Sequence, residues 1–203
     1  MTLVQEHRSP MLDEVAVVFT LIGEFRHMLI FSALLVVLLL VTRQWRQLIF
    51  ATTTLLCTAL GNTLTKHFFA RLRPEVLSDP LTSYSMPSGH ASGSFALFLT
   101  LAVLAGRGQP PRMRLTWLLV ACLPALAISL SRVYLGAHWP TDVLAGAMLA
   151  SGVCAASLWL SQRQTSLNAL PPKVWWLVLP SLVALFGFFV LRHLPHTMLR
   201  YAY

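Results

Sequence analysis

Three short clusters of polar residues carry the chemistry of this otherwise apolar chain. They are Lys66 with Arg73 and Pro74, the run Pro87-Ser88-Gly89-His90, and Ser131-Arg132 with His138 and Asp142. Charged and imidazole side chains are costly beside a bilayer, so a functional explanation is the default for them. The three permanent cations indicate a site for an oxyanion such as phosphate, because a guanidinium group can bind two of its oxygens at once.

The third cluster has the pattern of an activated nucleophile. His138 and Asp142 lie four residues apart, across the expected first turn of a helix, so the carboxylate can reach one imidazole nitrogen and leave the other to attack phosphorus. His90 would protonate the departing oxygen and later activate water. The cations would stabilise the charge of the transferred phosphoryl group, so we expect no metal or other cofactor to be required.

Six long segments without charge must position these clusters. Each is 16 to 20 residues long, and a helix of that length covers roughly 24–30 Å, close to the thickness of a bilayer core. They are residues 27–42, 47–65, 91–106, 115–131, 143–162 and 174–191. With 56% hydrophobic and 11% charged residues, the chain is predicted to be an all-α integral membrane protein, a six-transmembrane-helix bundle. Six helices apolar on every side are not typical of a small soluble domain.

The N-terminal segment is too short for a further span. Only nine uncharged residues separate Glu14 from Glu24, so residues 12–24 are predicted to form a short amphipathic helix in the interface, starting at Ser9-Pro10. No cleavable signal peptide is apparent, because acids precede the first long apolar run. We treat residues 1–203 as one membrane domain, with a core at 27–162 and an extra C-terminal span at 174–191.

The distribution of basic residues predicts the orientation. The connections at the end opposite the clusters carry seven Lys or Arg and no acids, whereas all seven acids lie on the cluster side with eight basic residues. Five tryptophans also line the basic side, namely Trp45, Trp117, Trp159, Trp175 and Trp176. Both features indicate a cytoplasmic basic side and an outward-facing cluster side. The formal charge of +8 is therefore not taken as a sign of nucleic-acid binding.

The helix ends that carry the clusters should meet. Connections alternate sides of the membrane, so the second and fourth spans end where the third and fifth begin. The two helix starts, near Gly89 and Pro140, would direct free amides and positive dipole ends at a phosphate. Ser88 would cap its helix, donate its hydroxyl to the phosphate, or do both.

These clusters resemble the type 2 phosphatidic acid phosphatase (PAP2) superfamily. Its pattern of KxxxxxxRP, PSGH and SRxxxxxHxxxD is met at every fixed position between residues 66 and 142. The resemblance implies an acid role for His90, a nucleophile role for His138 and an orienting role for Asp142. It implies phosphate-binding roles for Lys66, Arg73, Ser88, Gly89 and Arg132. Family members of this kind usually have a span before the amphipathic segment, whereas this sequence has its additional span after the core.

The expected function is a metal-independent membrane phosphatase that hydrolyses a lipid phosphate or diphosphate through a phosphohistidine intermediate. Undecaprenyl diphosphate, phosphatidylglycerol phosphate and phosphatidic acid are the expected substrate types, and a lipid A 1-phosphatase or a lipid phosphotransferase using the same site is the alternative. We expect a bacterial inner membrane, a site that faces the periplasm or cell exterior, and only lipids as partners. The oligomeric state is left open.

Other interpretations carry less weight. The spacing of His90, His138 and Asp142 matches no common metal motif, and the cations would repel a metal ion. A transporter would need charges along a path through the bundle, and none lies in the middle of a helix. Arg71 is left with two explanations, head-group binding or surface anchoring. The remaining histidines, including His193, are expected to be interfacial or tail residues.

Overall fold

The chain forms a bundle of helices. The computed structural model describes residues 8–74, 83–163 and 166–201, without the side chains of 195–196 and 198–201. Within these ranges there are seven helices and no strand. They are α1 (Pro10–Ile22), α2 (Phe25–Val41), α3 (Trp45–Phe69), α4 (Gly89–Gly106), α5 (Pro111–Tyr134), α6 (Pro140–Ser161) and α7 (Pro172–Tyr201).

Five of these helices, α3 to α7, are long and apolar enough to cross a membrane. The first two pass the same test only together, as one span that bends by 49° at Gly23 and Glu24. The prediction of an all-α membrane bundle is therefore confirmed, with five spans, or six if the bent pair counts as one; the predicted span at 27–42 does not pass the test by itself. Helix α7 contains the predicted span of residues 174–191 and continues beyond it to Tyr201.

Helix α4 lies at the centre of the bundle. In the 18-residue apolar stretch of α4, 67% of the residues are buried, against 17–28% in the corresponding stretches of α3, α5, α6 and α7. Helix α4 packs on α2, α3, α5 and α6. Its contact with α6 is close, because a Cβ atom added at Gly146 would lie 2.7 Å from the Ser88 carbonyl oxygen. Ala150, one turn further along α6, is fully buried.

Local sequence signals set several helix ends. Ser9 caps α1 and Ser88 caps α4, each by accepting the N–H of the residue three positions later. Helix α6 begins at Pro140 as predicted. Helix α3 continues beyond Lys66 to Phe69, and Ala70 then ends it in the left-handed conformation with φ +44°.

Helix α1 is part of the bundle rather than an isolated surface segment. It buries Ala16, Val17, Thr20, Leu21 and Ile22, and packs on α5 and α7. This packing brings the end of α1 beside the end of α5, where Arg132 lies. Its position in the membrane interface stays a prediction.

Candidate active site

The three sequence clusters meet around one cavity of about 500 Å³ at one end of the bundle. Six of the eight predicted site residues line it: Lys66, Arg73, Gly89, His90, Arg132 and His138. The other two, Ser88 and Asp142, are fully buried. They join α4 to α6, because the Ser88 N–H donates to the Asp142 carbonyl oxygen at 2.9 Å.

His138 and Asp142 face each other as their spacing predicts. The distance from His138 Nδ1 to Asp142 Oδ2 is 3.5 Å, and both side chains are buried. On the other edge of the ring, His138 Nε2 lies 3.1 Å from Arg73 Nη1. A guanidinium can only donate, so this contact leaves Nε2 as the acceptor and places the ring proton on Nδ1, facing the carboxylate.

Several donors fix the Asp142 carboxylate besides His138. Oδ2 accepts the hydroxyl of Ser85 and the N–H of Trp139, the latter at 2.9 Å. Oδ1 accepts Arg71 Nη1 at 2.9 Å. The guanidinium of Arg71 also stacks on the Trp139 ring, at 5.4 Å from its centroid. Arg71 thus pairs with the Asp142 carboxylate beside the site, a contact that neither of the two sequence-based explanations includes.

The surroundings of His138 favour a neutral imidazole. Burial lowers the pKa of His138 most strongly; the hydrogen bond to Asp142 raises it, and the nearby charges of Arg132, Arg73 and Lys66 lower it further, to about 3. The ring is therefore unprotonated near neutral pH. A neutral imidazole with one nitrogen held by a carboxylate has a lone pair available on the other nitrogen, as a nucleophile requires.

The backbone around the cavity holds the cations in place. Arg73 donates to the Ser83 and Ala137 carbonyl oxygens, each at 2.8 Å. Lys66 Nζ donates to the Tyr84 carbonyl oxygen at 2.5 Å. These contacts fix the positive groups before any ligand arrives, which is what electrostatic stabilisation of a phosphoryl group requires.

Arg132 is held partly by α1. It is 2% exposed, and its Nη1 lies 3.4 Å from the Thr20 hydroxyl. That hydroxyl is 2.8 Å from the Ser131 hydroxyl. Thr20 thus contributes to the site from a segment that no site motif includes.

Ser88 and Gly89 lie at the start of α4, where Gly89 lines the cavity and Ser88 is buried beside it. The Ser88 hydroxyl accepts the Ala91 N–H at 3.4 Å, so the capping role is the one observed. A Cβ atom at Gly89 would meet only the Asn62 side chain within 4 Å, at 3.7 Å. The backbone at Gly89 is therefore open to an approaching anion.

Several residues that lie beside the site were not predicted from the sequence. Glu24 and His193 line the cavity, and the His193 ring lies 5.4 Å from that of His27. The expectation that His193 is only an interfacial or tail residue was wrong, because α7 packs on α1 and α2 and brings it to the cavity. Ser85, two positions before the PSGH run, was also missed although its proximity to that motif was a usable signal.

The model of the PAP2 superfamily matches residues 46–166, more than half of the chain. This chain belongs to the PAP2 superfamily. The matched region covers all three clusters, from Lys66 to Asp142, but neither α1 nor α7.

Curated relatives of this PAP2 chain are phosphatases. An undecaprenyl-diphosphatase of Sulfolobus acidocaldarius is 37% identical over 47% of this chain and 46% of its own length. A phosphatidylglycerophosphatase B of Bacillus subtilis is 33% identical over 43% of this chain and 44% of its own. A lipid A 1-phosphatase of Rhizobium etli is 33% identical over 46% of this chain and 41% of its own. The PAP2 chain thus matches less than half the length of each of these relatives.

Two solved structures share the fold. A transmembrane PAP2 type phosphatidylglycerolphosphate phosphatase from Bacillus subtilis has a TM-score of 0.67 and 24% identity, over 81% of this chain and 83% of that one. LpxE of Aquifex aeolicus has a TM-score of 0.59 and 23% identity, over 77% and 90%. At these identities the likeness supports the PAP2 membrane fold.

Proposed function

We propose that this PAP2 protein is a membrane phosphatase that releases phosphate from a lipid phosphate or diphosphate through a phosphohistidine at His138. The observation that carries the proposal is the environment of His138. Its neutral ring faces Asp142 with one nitrogen and the cation-lined cavity with the other. The names of these curated relatives, each a phosphatase, support the phosphatase activity.

In the first step a phosphoryl group binds among Lys66, Arg73 and Arg132, with an oxygen near the Gly89 N–H. His138 Nε2 forms a bond to phosphorus as the bond from phosphorus to the lipid oxygen breaks, and His90, which enters this step in its protonated form, gives one proton to that oxygen and becomes neutral. As the substrate enters, the Nη1 group of Arg73 moves its hydrogen bond from His138 Nε2 to a phosphoryl oxygen.

In the second step His90 takes a proton from water. The water oxygen forms a bond to phosphorus, the bond to His138 breaks, and inorganic phosphate leaves. Asp142 keeps the Nδ1 proton in place and stabilises the ring while it carries the phosphoryl group. Every atom and proton is accounted for by these two histidines, water and the substrate.

The proposed location is a bacterial inner membrane, with the cavity facing the periplasm or exterior. The opposite end carries seven basic residues, no acids and five of the six tryptophans, and this distribution supports the orientation. The proposed partners are the substrate lipid and the surrounding lipids. The relatives' names cover undecaprenyl diphosphate, phosphatidylglycerol phosphate and lipid A, and phosphatidic acid has the same phosphate chemistry.

The test is phosphate release by the purified protein in detergent, across these lipids and without an acceptor lipid. The wild type should release phosphate from at least one lipid, and His138→Ala should abolish this release. His67→Ala is the matched control, because this exposed imidazole follows Lys66 but contacts Tyr84 rather than the cavity. Release by His138→Ala at the wild-type rate would refute the nucleophile, and release only with an acceptor lipid would favour a phosphotransferase.

A further inference from the structure

The last turn of α1 forms one wall of the site cavity. Thr20 and Leu21 line the cavity, and both side chains are buried. At the bend that follows, a Cβ atom added to Gly23 would lie 3.0 Å from His90 Cδ2, so the backbone there packs directly on the imidazole. This turn lies outside the region that the PAP2 family model matches. It belongs to the site by its contacts rather than by a motif.

A chain of hydrogen bonds connects this turn to Arg132. The Ser131 hydroxyl donates to the Ile128 carbonyl oxygen at 2.7 Å. Because the single proton of Ser131 is used there, Thr20 is the donor in the 2.8 Å contact between the two hydroxyls. A guanidinium can only donate, so Arg132 Nη1 donates to the Thr20 oxygen at 3.4 Å. The donors therefore run in one direction, from Arg132 through Thr20 and Ser131 to the backbone of α5.

The Thr20 hydroxyl serves Arg132 rather than a ligand. Its proton is used on Ser131, so it has no donor left for a phosphate oxygen, and its oxygen accepts from the guanidinium. An arginine side chain has many rotamers, and a fixed acceptor beside it restricts the positions of its guanidinium. A cation that is already fixed binds an oxyanion without first losing this freedom, which raises the affinity.

We propose that Thr20 is a positioning residue that fixes the Arg132 guanidinium for the phosphoryl group, so that α1 is part of the phosphate site. This inference rests on the proposed phosphatase function, in which Arg132 binds the phosphoryl group. It extends the site to a helix that carries none of the three clusters.

The test measures binding of orthovanadate, a phosphate mimic, to the purified full chain in detergent by titration calorimetry. Thr20→Val keeps the shape of the side chain and removes the hydroxyl. One hydrogen bond of ordinary strength corresponds to about a 3- to 10-fold change in an equilibrium constant. The Kd for vanadate should rise by this factor in Thr20→Val, and kcat/KM for a lipid phosphate should fall by the same factor. An unchanged Kd would overturn the inference.

Two further variants separate the hydroxyl from packing. Thr20→Ser keeps the hydroxyl and removes a buried methyl group, so it should be less stable than the wild type and bind vanadate equally well. Thr100→Val is the matched control, because it removes a buried hydroxyl that donates to the Ala96 carbonyl oxygen at 2.7 Å, within α4. It should leave vanadate binding unchanged. If either variant weakens vanadate binding as much as Thr20→Val, the cause is general destabilisation and the inference fails.

A double-mutant cycle tests whether Thr20 acts through Arg132. Arg132→Lys keeps a positive charge and removes the Nη1 donor. Adding Thr20→Val to Arg132→Lys should therefore change the Kd for vanadate by less than about twofold. The same 3- to 10-fold increase in both backgrounds would show that Thr20 acts on the anion by another route, and it would refute the positioning role.

Vanadate binding needs no turnover, so the outcomes separate this inference from the phosphatase proposal. Thr20-dependent vanadate binding without phosphate release from any lipid would refute the phosphatase and leave the role of Thr20. Phosphate release with equal vanadate binding by the wild type and Thr20→Val would do the reverse. No vanadate binding by the wild type would refute the phosphate site itself.

Discussion

The contact between α4 and α6 is predicted to control both stability and the site, and Gly146→Ala tests it. The added Cβ would lie 2.7 Å from the Ser88 carbonyl oxygen and 3.1 Å from the Ser92 nitrogen. Both are backbone atoms at the start of α4, so no side chain can rotate away and the helices must separate. Overpacking of this kind destabilises by about 1–3 kcal/mol, and an alanine in a helix offsets about 0.5–1 kcal/mol of that relative to glycine.

The same shift should lower activity. Moving α4 from α6 disturbs the bond from the Ser88 N–H to Asp142, which is 2.9 Å long, and with it the position of Gly89 and His90 relative to His138. A misplacement of about 1 Å can reduce turnover roughly 100-fold. We therefore expect kcat to fall by about 10- to 100-fold in Gly146→Ala.

The matched control is Gly152→Ala on the same helix. A Cβ at Gly152 meets nothing within 4 Å, so this variant should be as active as the wild type and at least as stable. Unfolding in detergent and phosphate release are measured side by side for both variants. If Gly146→Ala proves as stable and active as Gly152→Ala, the close contact of the two helices is not what positions the site.

Three further predictions concern the site. Asp142→Asn should lower kcat by about 100- to 10,000-fold, because the carboxylate that keeps the His138 proton on Nδ1 is lost. Asp13→Asn is the control, since the Asp13 carboxylate is bonded to Arg8 and Tyr134, and it should change phosphate release little. The pKa of His138 is about 3 in the folded state and near 6.5 in the unfolded state. The free energy of unfolding should therefore fall as the pH drops from 6.5 toward 3, by up to about 1.4 kcal/mol per pH unit. In His138→Gln the free energy of unfolding should depend less on pH over this range, and an identical slope would contradict the assigned environment of His138. Vanadate should inhibit phosphate release and a chelator should not; loss of activity in chelator, restored by a divalent ion, would favour metal catalysis.

The sequence predicts the spans and the placement of the clusters because both are encoded locally. The length of a charge-free run can be compared directly with the thickness of a bilayer. The four-residue spacing of His138 and Asp142 places them about one helical turn apart. Their convergence at one end follows from the alternation of connections, and the structure brings the clusters to one cavity as expected.

Features that depend on contacts between distant segments of the chain cannot be predicted from a local sequence pattern. The pattern of residues 12–24 does not reveal that α1 packs on α5 and α7 and supports Arg132 through Thr20. Gly146 and Gly152 both belong to pairs of small residues at four-residue spacing, but only Gly146 faces a neighbouring helix. His193 reaches the cavity from the far end of the chain, where no local pattern marks it.

The central claim is that His138 carries the phosphoryl group during turnover, and rapid quenching with radiolabelled lipid phosphate tests it most directly. The account predicts a label on the protein that is stable in base and labile in acid, appears within one turnover, and maps to His138. The label should be absent from His138→Gln and present in His67→Ala. Phosphate release without any such label in the first turnover, or an unchanged label in His138→Gln, would contradict the account.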